Sequence, residues 1–290
     1  MTSSKSTDLH IHTVASDGTD TVQQRIRQAE EHGLNAIAIT DHDNISEELD
    51  ERKFTAENDI EVITGAEIKC EIDGIKIEIL GYFVDPKSSA INQLFDTLSE
   101  KRISRMKEMV RKLNGELEEN IQIENVLSKE ETIPGRPHLA QVLVENNIAE
   151  DMAQAFNEFI GSDSDAYVEV EKIPAHDAIK AVHESGGVAV LAHPGRSLKK
   201  EEAVEKIGKL VKDDLDGIEV EYSYRQKIQL PSYKVFFTEV YANKIAEMYD
   251  LIPTGGSDCH GSESDKFNIG KVKLDYNVLK RLEALTEEYR

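Results

Sequence analysis

Short apolar runs recur along the chain, and most of them lead directly into a polar or charged residue. Runs of this kind, bounded by glycine or by polar residues, are typical of buried strands. The predicted strands comprise residues 9–12, 36–40, 61–66, 75–80, 188–192, 217–220 and 251–253. Because polar residues follow so many of them, the strand ends are where we expect the chemistry of this protein.

Segments in which apolar residues recur at helical spacing separate most of these runs. Val22, Ile26 and Ala29 lie near helical spacing, and Gly33 is placed to end that helix. Residues 175–184 and 204–211 show the same pattern. Strands that alternate with helices predict parallel pairing, and functional residues at many strand ends predict a barrel, because those ends converge at one mouth.

The middle of the chain breaks this alternation. Predicted helices at residues 91–113, 138–146 and 151–160 follow one another without a clear strand. We therefore interpret the chain as an α/β barrel in two parts, residues 1–86 and 171–290. The part between them, residues 87–170, is interpreted as a helical insertion that lies over the barrel mouth and acts as a substrate cap.

The composition limits the cellular locations and the binding partners that we expect for this protein. The formal net charge is −22, which argues against electrostatic binding to duplex DNA or to an anionic membrane. Only two cysteines are present, and neither a signal-type segment nor a membrane-length apolar run is apparent. We expect a cytoplasmic protein that binds neither duplex DNA nor a membrane, and the oligomeric state stays open.

Metal-ligating residue types collect at the predicted strand ends. His10 and His12 are two apart on a strand, so both imidazoles point the same way. The further candidates are Asp17, His42, Glu67, His193, Asp258 and His260. Imidazoles and carboxylates that converge from separate strands are typical ligands of zinc, manganese or iron. Asp258 and His260 are thus predicted to complete a metal site that His10 and His12 begin.

Six motifs then point to a family. DLHIHTVASDGT, AIAITDHDNI, TGAEI, EILGYF, VAVLAHPGR and GSDCHG follow one another between residues 8 and 261. In these motifs the chain resembles the PHP (polymerase and histidinol phosphatase) phosphoesterases. The resemblance implies a distorted (β/α)7 barrel that hydrolyses phosphate esters with a metal-activated water and two or three divalent ions, manganese, iron or zinc.

The resemblance also implies how the ligands divide among the metals. The first metal would take His10, His12, Glu67 and Asp258; the second Glu67, Glu78 and His193; the third Asp17, His42 and His260. The family usually has histidine where this chain has Glu78. The second metal could therefore be weaker, different or absent, and Glu78 could instead be a strand residue with its carboxylate in solvent.

The segments KRISRMKEMVRKL, GRPHLA and LAHPGR resemble, within that family, the 3′,5′-nucleotide bisphosphate phosphatases and an RNA 5′-end exonuclease. Arginine forks suit phosphate, and a helix start favours anions. The predicted phosphate-binding residues are Arg102, Arg105, Arg136, His138 and Arg196. Arg102 and Arg105 share a helix face that could also be merely solvated.

Several alternatives remain at this point. The proton donor to the leaving group is predicted to be His193 or His138. Tyr222, Tyr224 and Arg225 follow a strand and could touch a base or ribose, although such residues more often only pack. The chain could act on another phosphomonoester, such as histidinol phosphate. It could also be a metal-dependent amidohydrolase, or a non-catalytic module that a metal stabilises.

Overall fold

The apolar runs form a mixed sheet of ten strands in the computed structural model, which describes residues 5–56, 58–117, 120–127, 135–222, 235–264 and 268–289. The strands are β1 (Ser6–Ile11), β2 (Ala36–Ile39), β3 (Lys53–Thr55), β4 (Glu61–Ile72), β5 (Ile75–Tyr82), β6 (Ile173–Pro174), β7 (Val188–Leu191), β8 (Gly217–Tyr222), β9 (Ile252–Gly256) and β10 (Leu274–Asp275).

The chain divides into two compact units, residues 1–94 with 173–290, and residues 95–172. The described helices are α1 (Val22–Glu31), α2 (Ser89–Leu113), α3 (Ile123–Leu127), α4 (Arg136–Glu145), α5 (Met152–Gln154), α6 (Ala175–Glu184), α7 (Pro194–Ser197), α8 (Lys200–Lys212), α9 (Glu239–Tyr249) and α10 (Tyr276–Leu285). A π-helical turn (Ala155–Phe159) follows α5, and a 3₁₀ turn (Thr286–Glu288) follows α10. None of the described helices combines the length and the apolar composition needed to cross a membrane.

The sheet closes almost completely on itself. Its order is β10-β1-β2-β4-β5-β7-β8-β9, with β3 and β6 paired to β4. Beyond the end of β9, the Asp258 amide donates to the His10 carbonyl and the His12 amide donates to the Cys259 carbonyl, each at 2.9 Å. The last strand thus returns to the first, and the barrel-like α/β fold expected from the sequence is confirmed.

One strand runs against the predicted direction. β5 pairs antiparallel with both β4 and β7. Only Asp73 and Gly74 connect β4 to β5, and a two-residue connection can join only antiparallel strands. β4 therefore continues through Glu67 to Ile72, so the prediction that the strand ends before Glu67 was wrong. The β4–β5 hairpin accounts for part of the distortion of the barrel.

The first helix and second strand show why these elements form where they do. Thr21 accepts a hydrogen bond from the Gln24 amide, and the Gln24 side chain bonds back to Thr21, which completes a capping box. Along β2, Ala36 and Ala38 belong to one buried cluster, whereas Ile37 and Ile39 pack in another that contains Val22 and Ile26 of α1. Each fully buried large aliphatic side chain stabilises such a layer by about 1.5–3 kcal/mol.

The unit of residues 95–172 has its own helical core. Met106, Met109, Val110 and Leu113 of α2 pack with α4 residues that include Leu139 and Leu143. Pro137 lies in the first turn of α4, where amide groups have no acceptor within the helix, so its missing amide hydrogen removes no helical hydrogen bond. Whether the predicted insertion, residues 87–170, acts as a substrate cap stays a prediction.

Candidate metal centre

Strand β1 carries His10, and the residue just beyond its end, His12, into a buried cluster of carboxylates. Both imidazoles are fully buried, and the Nε2 atom of each lies 3.3 Å from Glu67 Oε2. His12 Nε2 also lies 3.2 Å from Asp258 Oδ1. The alternation of side chains along a strand therefore delivers two imidazole nitrogens to one point, as the spacing predicted.

Asp258 and His260 reach the same region from the segment after β9. A Cβ atom on Gly256 would lie 2.3 Å from the Cβ of His10, so only glycine allows this close approach. Asp258 adopts a left-handed conformation with φ of 53°, which aspartate tolerates better than most residues. His260 Nδ1 lies 2.8 Å from the Asp258 carbonyl oxygen, so its Nε2 faces outward toward Asp17.

Glu67 on β4 lies at the centre of the cluster. Its Oε2 is 3.1 Å from His42 Nδ1, in addition to its contacts with His10 and His12. Its Oε1 is 2.8 Å from His193 Nε2. A carboxylate that faces imidazoles with both oxygens is suited to bridge two cations.

A second group of possible ligands surrounds Asp17. Its carboxylate lies 3.3 Å from His260 Nε2, 3.8 Å from His42 Nε2 and 3.9 Å from His12 Nδ1. One ligand atom from each of these four residues lies within 4.8 Å of the others. Asp17 has 57% of its side chain exposed, so this group opens toward solvent.

Glu78 on β5 joins the cluster, and His193 reaches it from the loop after β7. Glu78 Oε2 lies 3.3 Å from His193 Nε2, and its Oε1 lies 4.0 Å from His42 Nδ1. Only 23% of the Glu78 side chain is exposed, so its carboxylate is not simply in solvent. His193 has φ of 20°, a strained backbone conformation of the kind that collects at functional sites.

The chemistry of the cluster fits divalent cations. His10 Nε2, both ring nitrogens of His12 and His42 Nδ1 are buried without a hydrogen-bond partner among the described residues. Burial would lower the pKa of His12, but the nearby carboxylates of Asp258 and Glu67 outweigh it and raise the pKa to about 9. Unsatisfied imidazole nitrogens beside carboxylates are arranged as metal ligands would be.

Two buried residues that the sequence analysis did not single out brace β1. Glu219 Oε1 lies 3.0 Å from His10 Nδ1, and Glu219 Oε2 accepts from the His193 amide at 2.7 Å. Arg25 donates to the His12 carbonyl from both Nε and Nη2, at 2.9 Å and 2.6 Å. Each was visible in the sequence as a charged residue within an apolar pattern, Glu219 in a strand and Arg25 on the stripe of α1.

Cys259 and Asp41 support the same region from outside the cluster. The Cys259 side chain is buried among the residues behind β1, where Arg25 Nη1 lies 3.3 Å from its Sγ. It points away from the cluster. Asp41 accepts from the Thr13 amide, the Thr13 hydroxyl and the Ser16 hydroxyl, and so orders the loop after β1.

Arg196, predicted to bind phosphate, lies beside the cluster with 26% of its side chain exposed. Its Nη1 donates to the Tyr222 hydroxyl at 2.7 Å and lies 3.5 Å from Asp258 Oδ2. Tyr222 in turn donates to Asp258 Oδ2 at 2.7 Å. Tyr224 and Arg225, the other candidates after β8, lie outside the described residues.

The remaining predicted substrate residues belong to the unit of residues 95–172. The Arg105 guanidinium lies over the Tyr167 ring, and that of Arg136 lies over the Tyr167 and Phe156 rings. Burial and the charge of Arg136 lower the pKa of Arg105. His138 Nδ1 accepts from the Gly135 amide, which leaves the ring proton of neutral His138 on Nε2. Arg102 lies one helical turn before Arg105 on α2.

Comparison with known proteins agrees with this geometry. The model of the PHP domain matches residues 8–223. The chain is 30% identical to a 5′-3′ exoribonuclease of Haemophilus influenzae, over 94% of either protein. It is 27% identical to a phosphoribosyl 1,2-cyclic phosphate 1,2-diphosphodiesterase of Eggerthella lenta, over 88% of this chain and 94% of that protein. A 3′,5′-nucleoside bisphosphate phosphatase of Chromobacterium violaceum is 27% identical over 65% of this chain and 67% of its own length.

A solved structure extends the similarity to the whole fold. A predicted metal-dependent phosphoesterase from Bifidobacterium adolescentis matches with a TM-score of 0.72 and 30% identity, over 96% of this chain and 95% of that one. The relatives are hydrolases of phosphate esters, which favours that chemistry over the amidohydrolase alternative. The chain therefore belongs to the PHP domain family and is a metal-dependent phosphoesterase.

Proposed function

We propose that this enzyme hydrolyses phosphate esters of nucleotides, with 3′,5′-nucleotide bisphosphates or the 5′ ends of short RNA as substrates. The observation that carries this proposal is the guanidinium pair of Arg105 and Arg136. Neither guanidinium forms an ion pair with a described carboxylate, although the chain is strongly acidic. Two partly buried like charges favour a bound anion, and a substrate with more than one phosphate supplies it.

The nine clustered residues are proposed to hold two or three divalent cations, chosen from manganese, iron and zinc. His10, His12, Glu67 and Asp258 would hold one; Glu67, Glu78 and His193 a second; Asp17, His42 and His260 a third. Divalent cations supply Lewis acidity and lower the pKa of water enough to give a nucleophile near neutral pH.

Residues of the chain itself would supply the remaining chemistry. Arg196 is placed to offset negative charge on the phosphoryl oxygens, because its partly exposed guanidinium lies next to Asp258. His193 directs Nε2 at Glu67 and Glu78, and its Nδ1 is buried, so the geometry favours a ligand role over proton transfer. His138, with its proton on Nε2, is the proposed proton donor to the leaving oxygen.

If Arg105 and Arg136 bind a second phosphate, their loss should weaken the binding of nucleotide bisphosphates more than that of esters with one phosphate. Arg136→Leu should raise KM for adenosine 3′,5′-bisphosphate by roughly 10-fold or more, because one charge-assisted hydrogen bond contributes about 1.5–3 kcal/mol. KM for AMP, which has a single phosphate, should change much less. Steady-state phosphate release from both substrates measures this difference.

A matched control lies on α2. Arg111 is 70% exposed and pairs with Glu108, so Arg111→Leu should leave KM for both substrates unchanged. Equal effects of Arg136→Leu on the bisphosphate and on AMP would contradict the proposed binding of a second phosphate. Release from histidinol phosphate alone would keep the phosphoesterase chemistry but change its substrate.

A cytoplasmic location remains our proposal, supported by the unpaired Cys70 and Cys259.

A further inference from the structure

Two residues of β8 reach the metal cluster, although their spacing does not suit a regular strand. Glu219 contacts His10, and Tyr222 contacts Asp258. Residues three apart on a strand normally point to opposite faces of the sheet. The register with β9 shifts between Glu219, which pairs with Thr254, and Glu221, which pairs with Gly255. This irregularity turns Tyr222 toward the side that Glu219 faces, as β-bulges beside active sites often do.

The Tyr222 hydroxyl connects two groups of the proposed machinery. It donates to Asp258 Oδ2 at 2.7 Å and accepts from Arg196 Nη1 at 2.7 Å. The same ring lies edge-on to His193, with 5.2 Å between the ring centroids. With Oδ2 held in this way, Asp258 presents Oδ1 to His12 Nε2 at 3.2 Å. The hydroxyl therefore selects which carboxylate oxygen faces the imidazoles.

We propose that Tyr222 is a positioning residue, which fixes the rotation of the Asp258 carboxylate for metal binding and holds Arg196 beside it. The inference rests on the proposed function, since it takes Asp258 as a ligand of the first metal. Asp258 has a left-handed backbone and follows the end of β9, so side-chain contacts must set the direction of its carboxylate. Partners that orient a ligand in this way tune metal affinity without touching the metal.

Tyr222→Phe isolates the hydroxyl, because it keeps the ring and its packing against His193. The measurement is the affinity of the full-length protein for Mn²⁺, followed by electron paramagnetic resonance of the free ion. Loss of the oriented hydrogen bond should weaken binding by about 10-fold. Steady-state hydrolysis of adenosine 3′,5′-bisphosphate should show a lower kcat, since a turned Asp258 changes the reaction centre rather than substrate binding alone.

Tyr249→Phe is the matched control. Its hydroxyl donates to the Val204 carbonyl at 2.8 Å, so this variant also loses one hydrogen bond, but outside the metal cluster. It should bind Mn²⁺ as the parent does. Tyr222→Phe with an affinity within about twofold of the parent would overturn the positioning role while the proposed function stood. A parent that binds none of Mn²⁺, Fe²⁺ and Zn²⁺ would instead remove the proposed function and this inference together.

Discussion

His10 and Glu78 both lie close to Glu67, but the protein holds them in different ways. His10 is fully buried: Glu219 lies 3.0 Å from its Nδ1, and Gly256 packs directly against its Cβ. Glu78 is 23% exposed, and its side-chain polar contacts among the described residues are with the ligand candidates His193 and His42 alone. We call His10, His12 and Asp258 the β1 side of the cluster, and Glu78 with His193 the hairpin side.

The β1 side and the hairpin side should therefore contribute differently to metal binding. Two proposed ligands of the β1 side have a second hydrogen-bond partner each, Glu219 for His10 and Tyr222 for Asp258. Such bracing favours one geometry and therefore tight binding. A less braced carboxylate at Glu78 can bind through one or two oxygens. We therefore expect the β1 side to decide whether metal binds, and the hairpin side to influence which metal is preferred.

Removal of a ligand on the β1 side should have the largest effect. His12→Ala takes away an imidazole that contacts both Glu67 and Asp258. A bound metal stabilises the charge that develops in the transition state by several kcal/mol. Its loss should therefore lower kcat by roughly 10³-fold or more. Phosphate release measures the loss, and circular dichroism reports whether the fold is kept.

His176→Ala is the control for that variant. His176 lies on α6 with 58% of its side chain exposed, and among the contacts described it pairs only with Asp177, which is 48% exposed. It should retain parental activity. A folded His12→Ala protein with parental kcat would show that the β1 side does not hold the catalytic metal.

Removal of the bracing should have a smaller effect than removal of the ligand. Glu219→Gln keeps the size of the side chain but weakens its hold on His10 Nδ1 and on the His193 amide. Partners of this kind typically contribute about 10–100-fold to metal affinity. Titration with Mn²⁺ measures the change, and an unchanged affinity would mean that His10 needs no orienting carboxylate.

A change on the hairpin side should alter metal preference more than activity. Glu78→His replaces a hard, anionic oxygen donor with an imidazole, which suits zinc better than manganese. The zinc-to-manganese ratio in protein loaded from an equimolar mixture should rise by about 10-fold, as measured by elemental analysis. Glu78→Gln, which removes the charge without adding an imidazole, should not raise this ratio. An unaltered ratio in Glu78→His would argue that Glu78 is not a ligand.

Much of the cluster was predictable because strand periodicity acts locally. His10 and His12 had to share a side of β1, and the polar residues after β2, β7 and β9 had to reach one mouth of a barrel. The same rule could not place Glu67 and Glu78. The hairpin signal Asp73-Gly74 was present, but the alternation of strands and helices drew attention away from it. As a result, β5 was expected to run parallel and β4 to end too early.

The supporting residues were harder to predict because their partners are distant in the chain. Glu219 is 209 positions from His10, and Tyr222 is 36 positions from Asp258. The irregular pairing that turns Tyr222 toward Asp258 depends on the register of β8 with β9, which the sequence does not reveal. Charged residues inside an apolar pattern, such as Arg25 and Glu219, were the available signal for such contacts.

We propose that this enzyme uses metal ions to hydrolyse nucleotide phosphate esters. The most direct test measures phosphate released from adenosine 3′,5′-bisphosphate, and nucleotides released from a short 5′-phosphorylated RNA, by the full-length protein. Each assay is run on Mn²⁺-loaded protein, after EDTA treatment, and after Mn²⁺ is restored. We predict activity on at least one of these substrates, its loss with EDTA and its return with Mn²⁺. Activity that survives complete metal removal, or inactivity on both substrates with metal shown to be bound, would contradict the account.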